Sequence, residues 1–327
     1  MYTLQEFESF PRLGWLSEAS PVHGLPALAA QLGLRELWVK RDDKIPELGG
    51  GNKVRKLDYL LAQPLYQGAS DWHASGAIGS SQLLVAARAA RSMGRGFTAH
   101  ACGQPFAPEV MQTLAQLQAT ASQVVRYHNR ATMALSNPSL VLRDRSRGAA
   151  IIPPGATSPT GNLGFVRAGL ELAQQIRAGE LPCPDRVYVG LGSGGTAVGL
   201  AMGLALAGIQ TQVRAISVVE AVFVNRVRIA GLIRRLTAPL EAGGVLLPDE
   251  HDLSLAVDTS CVGSGYAHPS KDSLGACELL RGHGLALDPV YTGKAMAALL
   301  RDASDMPASK LLFWHTGFRL HDDSQGL

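Results

Sequence analysis

Apolar positions along this chain fall into two alternating patterns. Short runs rich in Val, Leu, Tyr, Phe and Trp read as strands: Glu36–Lys40, Gly96–Cys102, Gln123–Tyr127, Arg186–Leu191, Val213–Val219 and Leu311–His315. Between them lie amphipathic or alanine-rich stretches that predict helices over Ser81–Ser92, Glu109–Leu117, Leu163–Ala178, Ala197–Ala207 and Lys294–Ala303. Strand–helix alternation at this spacing implies parallel sheets built from βαβ units. Gly and Pro mark the joints at Pro153-Pro154-Gly155, Pro182-Cys183-Pro184 and Gly243-Gly244, and Arg319–Leu327 reads as a polar tail. No internal repeat or low-complexity tract interrupts the pattern.

Length and composition narrow the classes. The 327 residues suggest two domains at roughly 150 residues each. A hydrophobic share of 46% with 17% charged residues excludes a disordered chain. The 30 basic and 27 acidic residues are too balanced for a nucleic-acid footprint, and no basic stripe interleaved with aromatics appears. The 36 glycines exceed the usual share of about 7%, which points to turns and to backbone lying close to a ligand. Cys102, Cys183, Cys261 and Cys277 are scattered with no paired spacing, so they read as thiols of a reducing compartment. Met1–Arg12 carries Glu6 and Glu8 without an apolar core, unlike a signal peptide. The most apolar run, Leu191–Gln210, is broken by glycines, Ser193 and Thr196, so no membrane span is expected. A cytoplasmic protein without membrane or nucleic-acid partners is the expectation.

Several segments carry candidate chemistry. Gly49-Gly50-Gly51-Asn52-Lys53-Val54-Arg55-Lys56-Leu57 reads as a loop entering a helix, with Asn52 a candidate N-cap. Lys53 would lie at the positive end of the helix dipole beside Arg55 and Lys56. Its ammonium is disfavoured there, and a neutral amine condenses with an aldehyde. The alternative is a solvated basic helix start. Only seven lysines occur in the chain, none between Lys56 and Lys271, so few residues compete for that role. Ser75-Gly76-Ala77-Ile78-Gly79-Ser80-Ser81-Gln82 before a helix is either a carboxylate or phosphate site or an ordinary serine cap. Val187–Thr196, a strand, a glycine-rich turn and a helix start, reads as a phosphate cradle. Gly190, Gly192 and Gly195 with Glu220 keep a nicotinamide-dependent oxidoreductase open. Ser193 and Thr196 suit a phosphate monoester better than a pyrophosphate, and no Gly-Lys-Ser/Thr follows, which disfavours a nucleoside triphosphatase. Tyr266 and Tyr291 sit on Gly/Pro-bounded loops, where each is a stacking or acid group or a packed surface tyrosine. His315 reads as a structural histidine, and no pattern suggests a metal.

Taken in order, these segments resemble the fold-type II pyridoxal-phosphate enzymes, and within them the D-cysteine desulfhydrase and 1-aminocyclopropane-1-carboxylate deaminase family. The resemblance runs through Phe10-Pro11-Arg12-Leu13, Trp38–Asp43, Gly51-Asn52-Lys53-x-Arg55-Lys56, Gly155 to Gly164, Gly192 to Thr196, Gly265-Tyr266, Asp288 to Lys294 and His315-Thr316-Gly317. It implies an α/β fold of two mainly parallel open sheets flanked by helices, like the β subunit of tryptophan synthase. A large domain of residues 1–47 plus 161–327 would enclose a small inserted domain of residues 48–160, and the assembly would be a homodimer. The cofactor implied is pyridoxal 5'-phosphate, and the partner a small amino-acid substrate.

The resemblance also implies roles. Lys53 would carry the cofactor and move the α-proton. Lys56 with Gly192, Ser193, Gly194, Gly195 and Thr196 would hold the phosphate. Ser80, Ser81, Gln82 and Thr316 would meet the substrate, Ser80 also as a catalytic group, and Ser81 would lie near the cofactor's 3-oxygen. Tyr291 would lie against the ring, Tyr266 beside the substrate, and Thr292 opposite the ring nitrogen. Deaminase relatives place glutamate at the Thr292 position and leucine at the Thr316 position. A neutral hydroxyl gives a weaker electron sink, which suits β-elimination better than cyclopropane opening. The chain departs from the family at Ser81 for asparagine, at Leu83-Leu84-Val85 for an arginine-containing stretch, at Ser158 for asparagine, and at Phe318 and Arg319. These changes bear on which substrate is taken. The implied activity is deaminating β-elimination on a β-substituted amino acid such as D-cysteine. Alternatives are ring-opening deamination, racemisation, β-replacement, a non-catalytic cofactor-binding protein, or the oxidoreductase above.

Overall fold

A computed structural model describes residues 1–129, 131–133 and 148–318, so Arg319 and the polar tail lie outside the described residues. Among these, ten strands form two sheets. The larger has the order β1-β2-β10-β7-β8-β9, with β1 Val22–Gly24, β2 Glu36–Arg41, β7 Arg186–Leu191, β8 Gln212–Ser217, β9 Leu255–Asp258 and β10 Lys310–His315. Only β1 runs antiparallel to its neighbour. The smaller has the order β5-β4-β3-β6, all parallel, with β3 Asp71–Ala77, β4 Gly96–Cys102, β5 Gln123–Tyr127 and β6 Ala150–Ile152. In sequence the smaller sheet lies entirely between β2 and β7. The longer helices are α1 Asn52–Leu60, α2 Ser81–Ser92, α3 Pro108–Thr120, α4 Pro159–Arg177, α5 Gly195–Leu206, α6 Arg226–Ala242, α7 Lys271–Gly282 and α8 Thr292–Ala303.

Most expected elements appear, and their altered ends have local causes. Helix α4 starts before the expected Leu163, because Ser158 caps it through Gly161 N–H at 2.9 Å and Pro159 takes the first helical position. Strand β8 ends at Ser217, short of the expected Val219. There the Ser217 hydroxyl donates to Val219 C=O at 2.7 Å and turns the chain. Ser75, Gly76 and Ala77, expected in a glycine–serine turn, instead finish β3, where they pair with His100, Ala101 and Cys102. Strand β3 and helices α6 and α7 were not among the expected elements.

Helix α4 is buried on almost every side. It packs on α5 within the core of the larger sheet and also meets α1, so it sits between the catalytic candidates and that core. Gly164 permits the second contact, since a side chain there would strike the Arg55 carbonyl.

Water is excluded from the same junction, yet four charged groups meet there. The Arg55 guanidinium of α1 grips Asp42 at 2.8 and 2.9 Å and Glu171 of α4 at 2.8 and 2.9 Å. Lys40 of β2 pairs with Glu171 at 2.5 Å and donates to Ser20 C=O at 2.7 Å. Trp314 Nε1 of β10 donates to Asp42 at 2.8 Å. Lys40, Asp42, Arg55 and Glu171 are each at most 1% exposed, and Arg167, itself paired with Glu8, lies 3.6 Å from Glu171. Burial alone would raise the Glu171 pKa, but Arg55 and Lys40 overcome it and hold the carboxyl well below its ordinary range.

Removing one member strands the rest. Glu171→Gln should cost ~3–5 kcal/mol of stability near neutral pH, read as a lowered urea midpoint. The folded pKa of Glu171 lies below its unfolded value of 4.5, so its contribution is full above that value and fades as the pH falls. Acid unfolding of Glu171→Gln should lack that component. A loss under about 1 kcal/mol would show that the cluster does not bear on stability.

Candidate active site

The expected site residues come from chain segments that the two sheets bring together at the carboxyl ends of β3, β7 and β10, where ligands of parallel sheets bind. Helix α1 starts the site. Its N-cap is Gly51 at φ +82°, and the space a side chain would need there is filled by the Gly317 carbonyl. Asn52, expected as the cap, stands one position inside the helix. Its side chain instead accepts from Lys53 Nζ at 2.8 Å and donates to Thr196 Oγ1 at 3.2 Å, so it ties α1 to α5. Loss of hydration pushes the Lys53 pKa down to about 8, and the Asp288 carboxylate partly offsets this. Lys53 therefore reaches its neutral, nucleophilic form far more readily than a surface lysine.

Opposite α1, β7 passes through Gly192, Ser193 and Gly194 into α5. Gly194 is left-handed at φ +93°, and no side chain caps the helix, so the N–H groups of its first turn are left for a ligand. Lys56 Nζ donates to Thr157 Oγ1 at 2.6 Å, and the Thr157 and Ser193 hydroxyls are 2.6 Å apart. Burial and the neighbouring Lys53 cation drive the Lys56 pKa well below its ordinary value. A Cβ on Gly195 would strike Asn162 Oδ1 and lie 2.7 Å from Lys56 Nζ. Two crowded lysines, a helix N-terminus and several hydroxyls make a place that lacks negative charge. A phosphate monoester supplies that charge, so these residues fit the phosphate of pyridoxal 5'-phosphate.

The tyrosines meet on the remaining side. Tyr291 packs over Gly192, where a Cβ would be 3.1 Å from its ring. Its hydroxyl donates to that of Tyr266 at 3.2 Å, with the rings nearly perpendicular. Asp288 organises this corner by accepting from Tyr291 N–H at 2.6 Å, Val290 N–H at 3.1 Å and Thr292 N–H at 3.1 Å. The Thr292 hydroxyl also donates to Asp288 at 2.6 Å and accepts from its N–H at 2.8 Å, and the residue is 1% exposed. Thr292 is thus committed to Asp288, a partner that the spacing Asp288-Pro289 before a helix start could have suggested. Glu220, considered above as a ribose-binding acid, accepts from Tyr266 N–H at 3.2 Å and so holds the tyrosine loop.

The turn Gly79-Ser80-Ser81-Gln82 opens α2. Ser80 occupies the N-cap position without capping through its side chain, and Gly79 N–H donates to Gln104 at 3.2 Å, a contact that sequence reading missed. Gln82, expected against the substrate, is 4% exposed. Its amide donates to Pro153 C=O at 2.8 Å and accepts from Gly155 N–H, so it braces the turn that carries Thr157. Thr316 is partly buried after β10, and its carbonyl accepts from Asn52 N–H at 3.4 Å. His315 accepts from Gly317 N–H at 3.1 Å and bonds Ala286 C=O at 3.0 Å, and burial lowers its pKa, as for a neutral structural imidazole.

Comparison with known proteins identifies the family. Residues 17–317 match the family described as pyridoxal-phosphate dependent enzyme. The chain is 33% identical over 327 residues to a D-cysteine desulfhydrase of Klebsiella pneumoniae (strain 342), covering 96% of each. It is 32% identical over 325 residues to a D-cysteine desulfhydrase of Salmonella schwarzengrund (strain CVM19633), again covering 96% of each. A solved structure of an ACC deaminase homologue superposes with a TM-score of 0.82 at 28% identity, covering 96% of this chain and 94% of the other. No described helix is long and apolar enough to cross a membrane.

The depressed Lys53 pKa can be read directly. In the cofactor-free chain, labelling of Lys53 by an aldehyde with borohydride trapping should rise through about pH 8, where an ordinary lysine rises through 10.5. Peptide mapping would locate the label, and a midpoint near the ordinary value would contradict the buried electrostatics described above.

Proposed function

This chain belongs to the pyridoxal-phosphate-dependent enzyme family, and from that premise we propose that it is a deaminating β-elimination lyase. Its substrate is a small β-substituted amino acid such as D-cysteine; after elimination of the β-group, one water hydrolyses the released enamine, so the products are a 2-oxo acid, ammonia and the departed β-group. The observation that carries this reading is the full-length likeness to D-cysteine desulfhydrases, joined to a lysine of lowered pKa beside a phosphate-fitting cradle.

When bound, pyridoxal phosphate supplies an electron sink for bond breaking at the substrate α-carbon. Lys56, Thr157, Ser193 and the first turn of α5 bind the phosphate. Lys53 would hold the cofactor through Nζ and, once released from it, would take the substrate α-proton on the same atom. Departure of the β-group with its bonding electrons follows. Ser80 and the start of α2 receive the substrate carboxylate, with Ser81 and Thr316 alongside. Tyr291 would orient the ring, and Tyr266, whose hydroxyl accepts from that of Tyr291, would lie beside the substrate. Thr292 offers a neutral hydroxyl whose proton is given to Asp288. That position therefore supplies no ionised group to hold a proton on a ring nitrogen, which favours β-elimination over cyclopropane opening. Closure of a small domain, residues 48–160, on a large one, residues 1–47 plus 161–327, excludes water from the reaction. The same reading makes the protein a cytoplasmic homodimer.

Lys53→Ala should lower turnover at least about a thousandfold and remove the visible absorption band of the purified protein. Retention of both would sink the scheme. A substrate panel of D- and L-cysteine, other β-substituted alanines and 1-aminocyclopropane-1-carboxylate, assayed for 2-oxo acid and ammonia, separates the readings. Faster consumption of the cyclopropane than of every β-substituted alanine would replace β-elimination with ring opening. Thr292→Glu should move the product balance away from β-elimination, and an unchanged profile and spectrum would mean that Thr292 does not act on the ring.

A further inference from the structure

Asn162 lies in the first turn of α4, facing the start of α5. It is 1% exposed, and its Oδ1 has no hydrogen-bond partner among the described residues. An acceptor buried without a partner costs free energy, so it calls for a donor that arrives later. Its position identifies that donor. A Cβ on Gly195, the first residue of α5, would meet both Asn162 Oδ1 and Lys56 Nζ, so the amide oxygen and the amine converge on one spot at the uncapped helix start.

The proton count at Lys56 completes the argument. A lysine ammonium has three protons to donate. Thr157 Oγ1 takes one at 2.6 Å. An anion at the α5 N-terminus takes a second, and the third needs an acceptor on the remaining side. We propose that Asn162 is a positioning residue of the phosphate site: its Oδ1 receives the third proton of the Lys56 ammonium when a phosphate monoester is bound, and so makes the chain prefer a phosphorylated ligand to its unphosphorylated counterpart.

This inference rests on the cofactor reading given above and deepens it. Burial and the Lys53 cation favour the neutral amine at Lys56 when no anion is present, and an amine has one proton fewer to give. Lys53 is the charged group that acts on Lys56, on its own helix. From α4, α5 and the turn before α4, Lys56 is met by Asn162, Gly195 and Thr157, all uncharged.

The test compares pyridoxal 5'-phosphate with pyridoxal, both of which reach Lys53 through the same aldehyde. Dissociation constants are measured by absorbance titration of the cofactor-free full chain. Asn162→Leu, which keeps volume, and Asn162→Ala should each weaken pyridoxal phosphate roughly ten- to a hundredfold. Pyridoxal should change by no more than about twofold, and inorganic phosphate should compete less well. Equal weakening of both aldehydes, or of neither, overturns the inference. The wild-type chain gives a reading that needs no variant. Its preference for pyridoxal phosphate should fall as the pH rises from about 7 to 10, because the shared ammonium is lost while Lys53 affects both ligands alike. A preference flat in pH also overturns the inference. If the wild-type chain binds neither aldehyde, the cofactor reading itself has failed, an outcome distinct from a preference that survives the loss of Asn162.

Discussion

Arg55 reaches from α1 to two carboxylates, Asp42 and Glu171, in a place that water does not enter, and its geometry sets most of the site. Lys53 and Lys56 lie two residues before and one after it on the same helix. Whatever holds Arg55 therefore sets the height and rotation of both lysines. A buried ion cluster adds little net stability compared with well-packed apolar groups, but it tolerates few alternative arrangements. The directed contacts of a guanidinium on two carboxylates specify where α1 sits more narrowly than hydrophobic packing would. Glu171 extends the constraint to α4, and Trp314 extends it to β10, whose end carries His315, Thr316 and Gly317. The Gly317 carbonyl in turn closes on Gly51.

The second constraint is the charge left uncompensated beside that lock. Arg55 is neutralised by two carboxylates, whereas burial lowers the pKa values of Lys53 and Lys56, with the Lys53 cation adding to the fall at Lys56. Loss of hydration brings Lys53 closer to its neutral form, and the uncapped start of α5 beside Lys56 fits an anion. Asp288 tempers Lys53 from the α8 side while its carboxylate collects the backbone amides of the Tyr291 turn. Reactive lysine, anion cradle and tyrosine pair are thereby parts of one electrostatic arrangement. The Gln82 brace adds the substrate-side turn, because it ties the start of α2 to the loop that carries Thr157.

Much of this was legible in the sequence wherever the signal is local. Gly96–Cys102, Gln123–Tyr127, Arg186–Leu191 and Ser81–Ser92 fold over the residues their patterns mark. The strand–glycine turn–helix at Val187–Thr196 could be read as an anion site because its glycines, hydroxyls and helix start are close in sequence, whereas Lys56 and Thr157 join it only in the fold. Strand β3 was hidden, since Ser75 and Gly76 look like turn residues until β4 pairs with them. Asn52 looked like a cap because capping preference is a property of residue type. Its actual work, joining Lys53 to Thr196, spans 144 residues. Gln82 and Thr292 drew attention as ligand contacts by their place in motifs, while their hydrogen bonds go to Pro153, Gly155 and Asp288.

Sequence alone determined the layered α/β class and the order of its chemical segments, and it singled out Lys53 as the candidate amine. Burial periodicity and turn chemistry act over a few residues, so they are written in the local pattern. Tertiary structure decided which polar groups share a water-free space. Arg55 and Glu171 are 116 residues apart, and nothing in either neighbourhood names the other. The meeting of Asn162, Lys56 and Gly195 likewise depends on how α1, α4 and α5 cross. Such convergence is a property of packing. It decides whether a buried amide oxygen is a defect or an acceptor held for the Lys56 ammonium.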